Sequence, residues 1–128
     1  MTNYNITVVD DYEDAIELMD YNLYKEGYQT RSFSNPMRAL EFITPENTDL
    51  ILTDWLMPEM NGIEFVKALK ACSRTQDIPV IMVTCLNSEQ NVDDAYKVGV
   101  QDFMTKPFRF NQLIRRIDQI LKQKKQAS

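Results

Sequence analysis

Apolar residues along this chain fall into two alternating patterns. Short, mostly β-branched runs, Ile6-Thr7-Val8-Val9, Leu50-Ile51-Leu52-Thr53 and Val80-Ile81-Met82-Val83, predict buried strands. Tyr28 to Phe33 and Gln101 to Thr105 predict two more polar strands. Between the strands, apolar positions recur at helical spacing: Tyr12, Ala15, Ile16, Met19 and Leu23, then Phe65, Val66, Leu69 and Cys72. Val92, Ala95 and Tyr96 mark a further helix, and Leu113, Ile114, Ile117, Ile120 and Leu121 form one face of the last. Punctuation agrees with this division. Gly27 and Gly99 follow helices, Asn35-Pro36 opens a short helix that ends by Pro45, and Asn87 or Ser88 caps the helix before Gly99.

Strand and helix alternate five times, which predicts an α/β domain with a five-stranded parallel sheet and helices on both faces. The fully apolar strands belong at the centre, so the polar second and fifth strands become edges. With right-handed crossovers the strand order is 2-1-3-4-5, the order of flavodoxin-like folds. No internal repeat, low-complexity segment or linker interrupts residues 5–122, so residues 1–128 are expected to be one domain.

Composition narrows the function classes. At 128 residues the chain suffices for one core, and with 44% hydrophobic and 26% charged residues it has a globular balance. Its apolar runs are too short to span a bilayer, and Met1-Thr2-Asn3-Tyr4-Asn5 lacks the regions of a signal peptide, so a cytoplasmic location is expected. The formal net charge of −5 disfavours direct nucleic-acid binding by bulk charge. The charge is uneven: residues 109–128 hold six basic side chains against one acidic. The basic end, Lys122, Lys124 and Lys125, complements the last helix's dipole and is expected to be solvated. With 0 histidines, imidazole catalysis and imidazole metal ligands are excluded. Cys72 and Cys85 match no metal spacing and are expected to be reduced structural thiols, while the methionines and tyrosines are expected to pack.

In a sheet of this order, ligands bind beyond the carboxyl ends of the strands. Those ends carry Asp10-Asp11 after the first strand, Asp54 after the third, Thr84 closing the fourth, and Lys106-Pro107 after the fifth. Taken singly, Asp11 could cap a helix and Asp54 could head a turn. Taken together, three carboxylates on one rim call for a cation, and oxygen-only ligands select a hard ion, magnesium above all. Lys106 adds a charge that can pair with a carboxylate or a phosphoryl oxygen. A metal ion, an ammonium and a hydroxyl around an aspartate suit phosphoryl transfer with that aspartate as nucleophile. Only three glycines are present, and none forms a phosphate-cradling loop, so the donor must come from another molecule.

Asp10-Asp11, Asp54-Trp55-Leu56-Met57-Pro58 through Gly62, Thr84 and Lys106-Pro107-Phe108 resemble the signature of two-component response-regulator receiver domains. The resemblance runs through nearly the whole chain. It implies that Asp54 is the phosphoacceptor, taking its phosphoryl group from a phosphohistidine on a sensor histidine kinase or histidine phosphotransfer protein. It also implies that Asp11, Asp54 and the backbone carbonyl of Leu56 hold Mg2+ (or Mn2+), with Asp10 acting through water. Thr84 and Lys106 would bind phosphoryl oxygens, and Phe103 would be an aromatic switch. Output would pass through the face of the fourth helix, fifth strand and fifth helix, to an output domain, a target protein or a second copy in a homodimer. The family further implies a cis Lys106-Pro107 bond, and a protein that assists its own phosphorylation and dephosphorylation without being a conventional enzyme.

Some positions depart from the pattern. Cys85 stands where the family places a very small residue, Leu56 and Leu86 where polar residues are frequent, and Phe103 where tyrosine is also common. Three other readings compete. A flavodoxin-like cofactor binder would need a Ser/Thr/Gly-rich loop where Asp10-Asp11-Tyr12-Glu13-Asp14 stands. An aspartyl phosphatase would need a second carboxylate where Leu56 stands. A receiver reduced to a pure interaction module would have lost acidic, hydroxyl or lysine positions that are all filled here.

Overall fold

The computed structural model describes the backbone of residues 3–127 and the side chains of 3–124. Strands β1 (Asn5–Val9), β2 (Gln29–Phe33), β3 (Leu50–Thr53), β4 (Val80–Thr84) and β5 (Asp102–Thr105) alternate with helices α1 (Glu13–Lys25), α2 (Pro36–Phe42), α3 (Gly62–Lys70), α4 (Glu89–Val98) and α5 (Phe110–Ala127). Every pairing is parallel and the order is β2-β1-β3-β4-β5, as the pattern predicts.

Burial follows the strand order. β3 and β4 are buried throughout and β1 almost so, whereas the edge strands β2 and β5 are mostly half-exposed. Two cores flank the sheet. Met19 and Leu23 of α1 pack with Leu113, Ile117 and Leu121 of α5 on one face. Ala39, Phe65, Val66, Leu69 and Ala95 from α2, α3 and α4 pack on the other. Removing such side chains from water is the main favourable term in folding.

The predicted helix ends are mostly borne out. Asn35 accepts a hydrogen bond from Met37 N with Pro36 at the first helical position, and Ser88, not Asn87, caps α4 through Asn91 N. Asn61 and Glu64 form a reciprocal capping box at α3. Gly27 (φ 89°) and Gly99 (φ 110°) adopt the left-handed conformation expected after helices.

Three packing expectations are corrected. α3 stops at Lys70, two residues short of the end of the predicted stripe, so Cys72 is exposed, as is Cys85. Tyr12, Tyr21, Tyr24 and Tyr96 and also Met37 lie on the surface, because α1, α2 and α4 bury only narrow stripes, Met19 with Leu23, Pro36 with Ala39, and Ala95. Lys124 is more than a solvated terminus: its Nζ donates to the Asp49 carbonyl at 3.1 Å, tying α5 to the segment before β3. Lys125 lies outside the described side chains. Among the described residues no helix is long and apolar enough to cross a membrane.

Candidate functional site

Ladder hydrogen bonds run past the strand ends and place the rim residues. Asp10 N donates to Phe33 O at 3.1 Å, Asp54 N to Val9 O at 3.0 Å, and Lys106 N to Thr84 O at 2.9 Å. Asp10, Asp54 and Lys106 are therefore each the first residue beyond a strand, held by the neighbouring strand's backbone, while Thr84 is the last residue of β4. Because β3 lies between β1 and β4, Asp54 has Asp10 beyond one neighbouring strand and Thr84 at the end of the other.

Lys106 joins the two acids. Its Nζ lies 2.8 Å from Asp54 Oδ2 and 3.0 Å from Asp10 Oδ2. Asp10 and Asp54 are 7% and 9% exposed, so two carboxylates share one ammonium with little water to screen them. Burial of the ammonium works to lower its pKa, but hydrogen bonds to Asp54 and Asp10 and their charges together outweigh it, and the pKa is raised. The second oxygen of each acid is fixed locally. Asp10 Oδ1 accepts from Tyr12 N at 3.0 Å, and Asp54 Oδ1 accepts from Trp55 N at 2.5 Å and Leu56 N at 3.3 Å. Asp54 thus does head a turn, while Asp10 rather than Asp11 receives the N–H where α1 begins.

Thr84 is fully buried, and its Oγ1 accepts from Leu86 N at 3.4 Å. The Lys106–Pro107 peptide bond is cis, as expected. Phe103 is half-buried against the core on the α2–α3–α4 face, Trp55 is half-buried, and Leu56 is 55% exposed.

Asp11 is the predicted residue that the structure does not gather in. It is exposed, and among the described residues no three acidic or thiol side chains come together in a metal-holding group. The donor chemistry still fits a hard cation. Asp10 and Asp54 carry two negative charges against one from Lys106, and all candidate donors are oxygens.

Gly62 is part of the site in a way that residue type alone does not reveal. A Cβ there would lie 2.4 Å from the Asp54 carbonyl oxygen and 2.7 Å from Trp55 Cα, both backbone atoms. Gly62 N also donates to Trp55 O at 2.7 Å, so α3 begins directly against the loop that carries Asp54. The available sequence signal was a glycine eight places after the aspartate in a chain with only three glycines.

Comparison with known proteins places this geometry. The family described as response regulator receiver domain matches residues 6–118. Over 122 residues the chain is 35% identical to the phosphate regulon transcriptional regulatory protein PhoB of Pseudomonas aeruginosa, an alignment covering 95% of this chain and 53% of that protein. It is 33% identical over 126 residues to the alkaline phosphatase synthesis transcriptional regulatory protein PhoP of Bacillus subtilis, covering 98% and 52%. The chain thus spans about half the length of these curated relatives. Among solved structures, the signal receiver domain of a signal transduction histidine kinase from Syntrophus aciditrophicus has a TM-score of 0.85 at 33% identity, covering 93% of this chain and 90% of that one. The CheY-like receiver domain protein from Methanospirillum hungatei, at 24% identity, shares the fold with a TM-score of 0.91, covering 99% and 100%. With its sheet order, its rim of Asp10, Asp54, Thr84 and Lys106, and this match over most of its length, the chain belongs to the response regulator receiver domains of two-component systems.

Proposed function

We propose that this domain is a phosphorylation-gated signalling module in a two-component phosphorelay, with Asp54 as phosphoacceptor. The observation that carries the reading is Lys106 Nζ, bonded to both Asp54 and Asp10 at the carboxyl end of the sheet. Asp54 is the carboxylate flanked by an acid on one side and a hydroxyl on the other.

An Asp54 carboxylate oxygen forms a bond to phosphorus as the phosphorus–nitrogen bond of a donor phosphohistidine breaks. The departing nitrogen keeps the bonding pair and takes a proton from solvent. Lys106 turns from the carboxylates to a phosphoryl oxygen, and the Thr84 hydroxyl donates to another. Asp10, Asp11, Asp54 and the Leu56 carbonyl would hold Mg2+ or Mn2+. When bound, the ion supplies charge neutralisation for the phosphoryl oxygens.

The donor is a sensor histidine kinase or a histidine phosphotransfer protein in the cytoplasm. An apolar groove of about 380 Å³ lies between α1 and the β5–α5 loop, with Asp10 and Lys106 among the residues that line it. The phosphoryl group biases the α4–β5–α5 face as the Thr84 hydroxyl moves toward it and Phe103 turns into the space released. Output passes from that face to an output domain, a target protein or a second copy. The relatives' names as transcriptional regulators support such an output step.

Incubation with acetyl phosphate and magnesium is expected to add one phosphoryl mass that hydroxylamine removes, and Asp54→Asn is expected to abolish it. Equal uptake by Asp54→Asn overturns the assignment.

A further inference from the structure

At the far end of β5 from the site, Asp102 opens the edge strand and is held from three directions. Its Oδ1 accepts from Phe103 N at 2.8 Å and from the Tyr96 hydroxyl at 3.2 Å. Arg116 Nη1 reaches both carboxylate oxygens, at 2.6 and 2.7 Å. Tyr96 belongs to the last turns of α4, and Arg116 to α5 in the opposite helical layer. This meeting is possible because, among the described residues, no strand pairs beyond β5, so its outer edge is reachable from both faces. The residue that follows Asp102 is Phe103, whose half-buried ring packs in the α4 layer.

The two helices are held unequally. Arg116 pairs a full positive charge with both oxygens, whereas Tyr96 offers one longer bond from an uncharged hydroxyl on an exposed side chain. The tie to α5 is the stronger and the tie to α4 the one that yields. A single exposed hydrogen bond biases an equilibrium by a few-fold and does not lock it, the scale a switch between two populated states requires.

We propose that the Asp102 carboxylate is a latch that holds α4 in its unphosphorylated position around Phe103, and that the Tyr96–Asp102 bond must open for the α4–β5–α5 face to switch. The proposal rests on the phosphoacceptor reading above. It assigns the movement to α4, with α5 remaining fastened to β5 through Arg116.

The test uses the full chain as wild type, Tyr96→Phe and Asp102→Asn. Tyr96→Phe removes only the hydroxyl and leaves the ring to pack. Initial phosphoryl uptake from acetyl phosphate with magnesium is compared, together with backbone amide spectra before any donor is added. Tyr96→Phe is expected to take up phosphoryl groups roughly twofold to fivefold faster than wild type. Before phosphorylation, its amides in residues 89–103 should already lie part-way to their phosphorylated positions, while those of residues 110–118 stay in place. Asp102→Asn is expected to gain at least as much. Uptake by Tyr96→Phe that equals or falls below wild type, or amides that do not move, overturns the latch while the phosphoacceptor reading stands. Wild-type protein that takes up no phosphoryl group overturns both.

Discussion

Lys106 Nζ and Asp54 Oδ2 meet at 2.8 Å although 52 residues separate them in the chain. Lys106 sits beyond the edge strand β5 and Asp54 beyond the central β3, so the lysine spans the end of β4 to reach its partner. The bond has a measurable pH signature. The pKa of Lys106 is raised above its ordinary 10.5, despite burial, by its bonds to Asp54 and Asp10. A raised folded-state pKa contributes stability that is fully present below the unfolded value and lost as pH climbs through the folded one. Wild-type protein should therefore lose more stability above about pH 10.5 than Lys106→Met does, by urea unfolding at matched pH. Parallel losses would sink the claim. Lys106→Met should also slow phosphoryl uptake roughly a hundredfold, because a charge aimed at the transferring group is gone.

Trp55, the one tryptophan, follows Asp54 and donates its backbone N–H to that carboxylate. Magnesium titration should change its emission, and Asp11→Ala should abolish the change by removing the exposed acid nearest in sequence to Asp10. An unaltered titration in Asp11→Ala would place the ion elsewhere.

Gly62→Ala should cost about 1–3 kcal/mol, the usual range for a forced overlap in a packed region. Its Cβ would meet the Asp54 carbonyl at 2.4 Å, and neither backbone atom there can swing away. Urea midpoints read the effect, and the same variant should take up phosphoryl groups more slowly because the Asp54 loop must shift. A midpoint equal to wild type would mean that the loop gives freely.

Glu59 holds φ at 69°, a left-handed conformation that costs a side-chain-bearing residue about 1–2 kcal/mol. Glu59→Gly relieves that strain but gains freedom in the unfolded chain, for a net stabilisation of about 0.5–1 kcal/mol. Thermal unfolding of the two proteins checks it, and a lower midpoint for the glycine variant would contradict the argument.

The phosphorylated form should be long-lived. Leu56, exposed, and Leu86, half-buried, offer no hydrogen bond to hold an attacking water opposite the acyl phosphate. Leu56→Asn, or Leu86→Glu, should hasten decay roughly fivefold, equivalent to one hydrogen bond of about 1 kcal/mol. Decay followed under equal magnesium decides it; an unchanged or slower rate in Leu56→Asn counts against the prediction.

Much of this protein was legible in the residue pattern. A strand buried on both faces must be apolar throughout, so Leu50–Thr53 and Val80–Thr84 declared themselves central and the polar Gln29–Phe33 an edge. Once the order is set, the residues at the carboxyl ends of the strands must lie on one rim, which is why Asp10, Asp54, Thr84 and Lys106 could be grouped without coordinates. What residue types could not convey depends on distances between segments remote in sequence. That Lys106 bridges Asp10 and Asp54 while Asp11 faces solvent follows from strand ends and side-chain directions fixed by packing. That Gly62 must lack a side chain follows from how closely α3 docks on the Asp54 loop. Tyr96 carries the helical spacing of a core residue, yet α4 buries only Ala95, and at the surface the Tyr96 hydroxyl meets the Asp102 carboxylate. Periodicity reports which side of an element turns inward; only the assembled tertiary structure decides which polar groups then find each other.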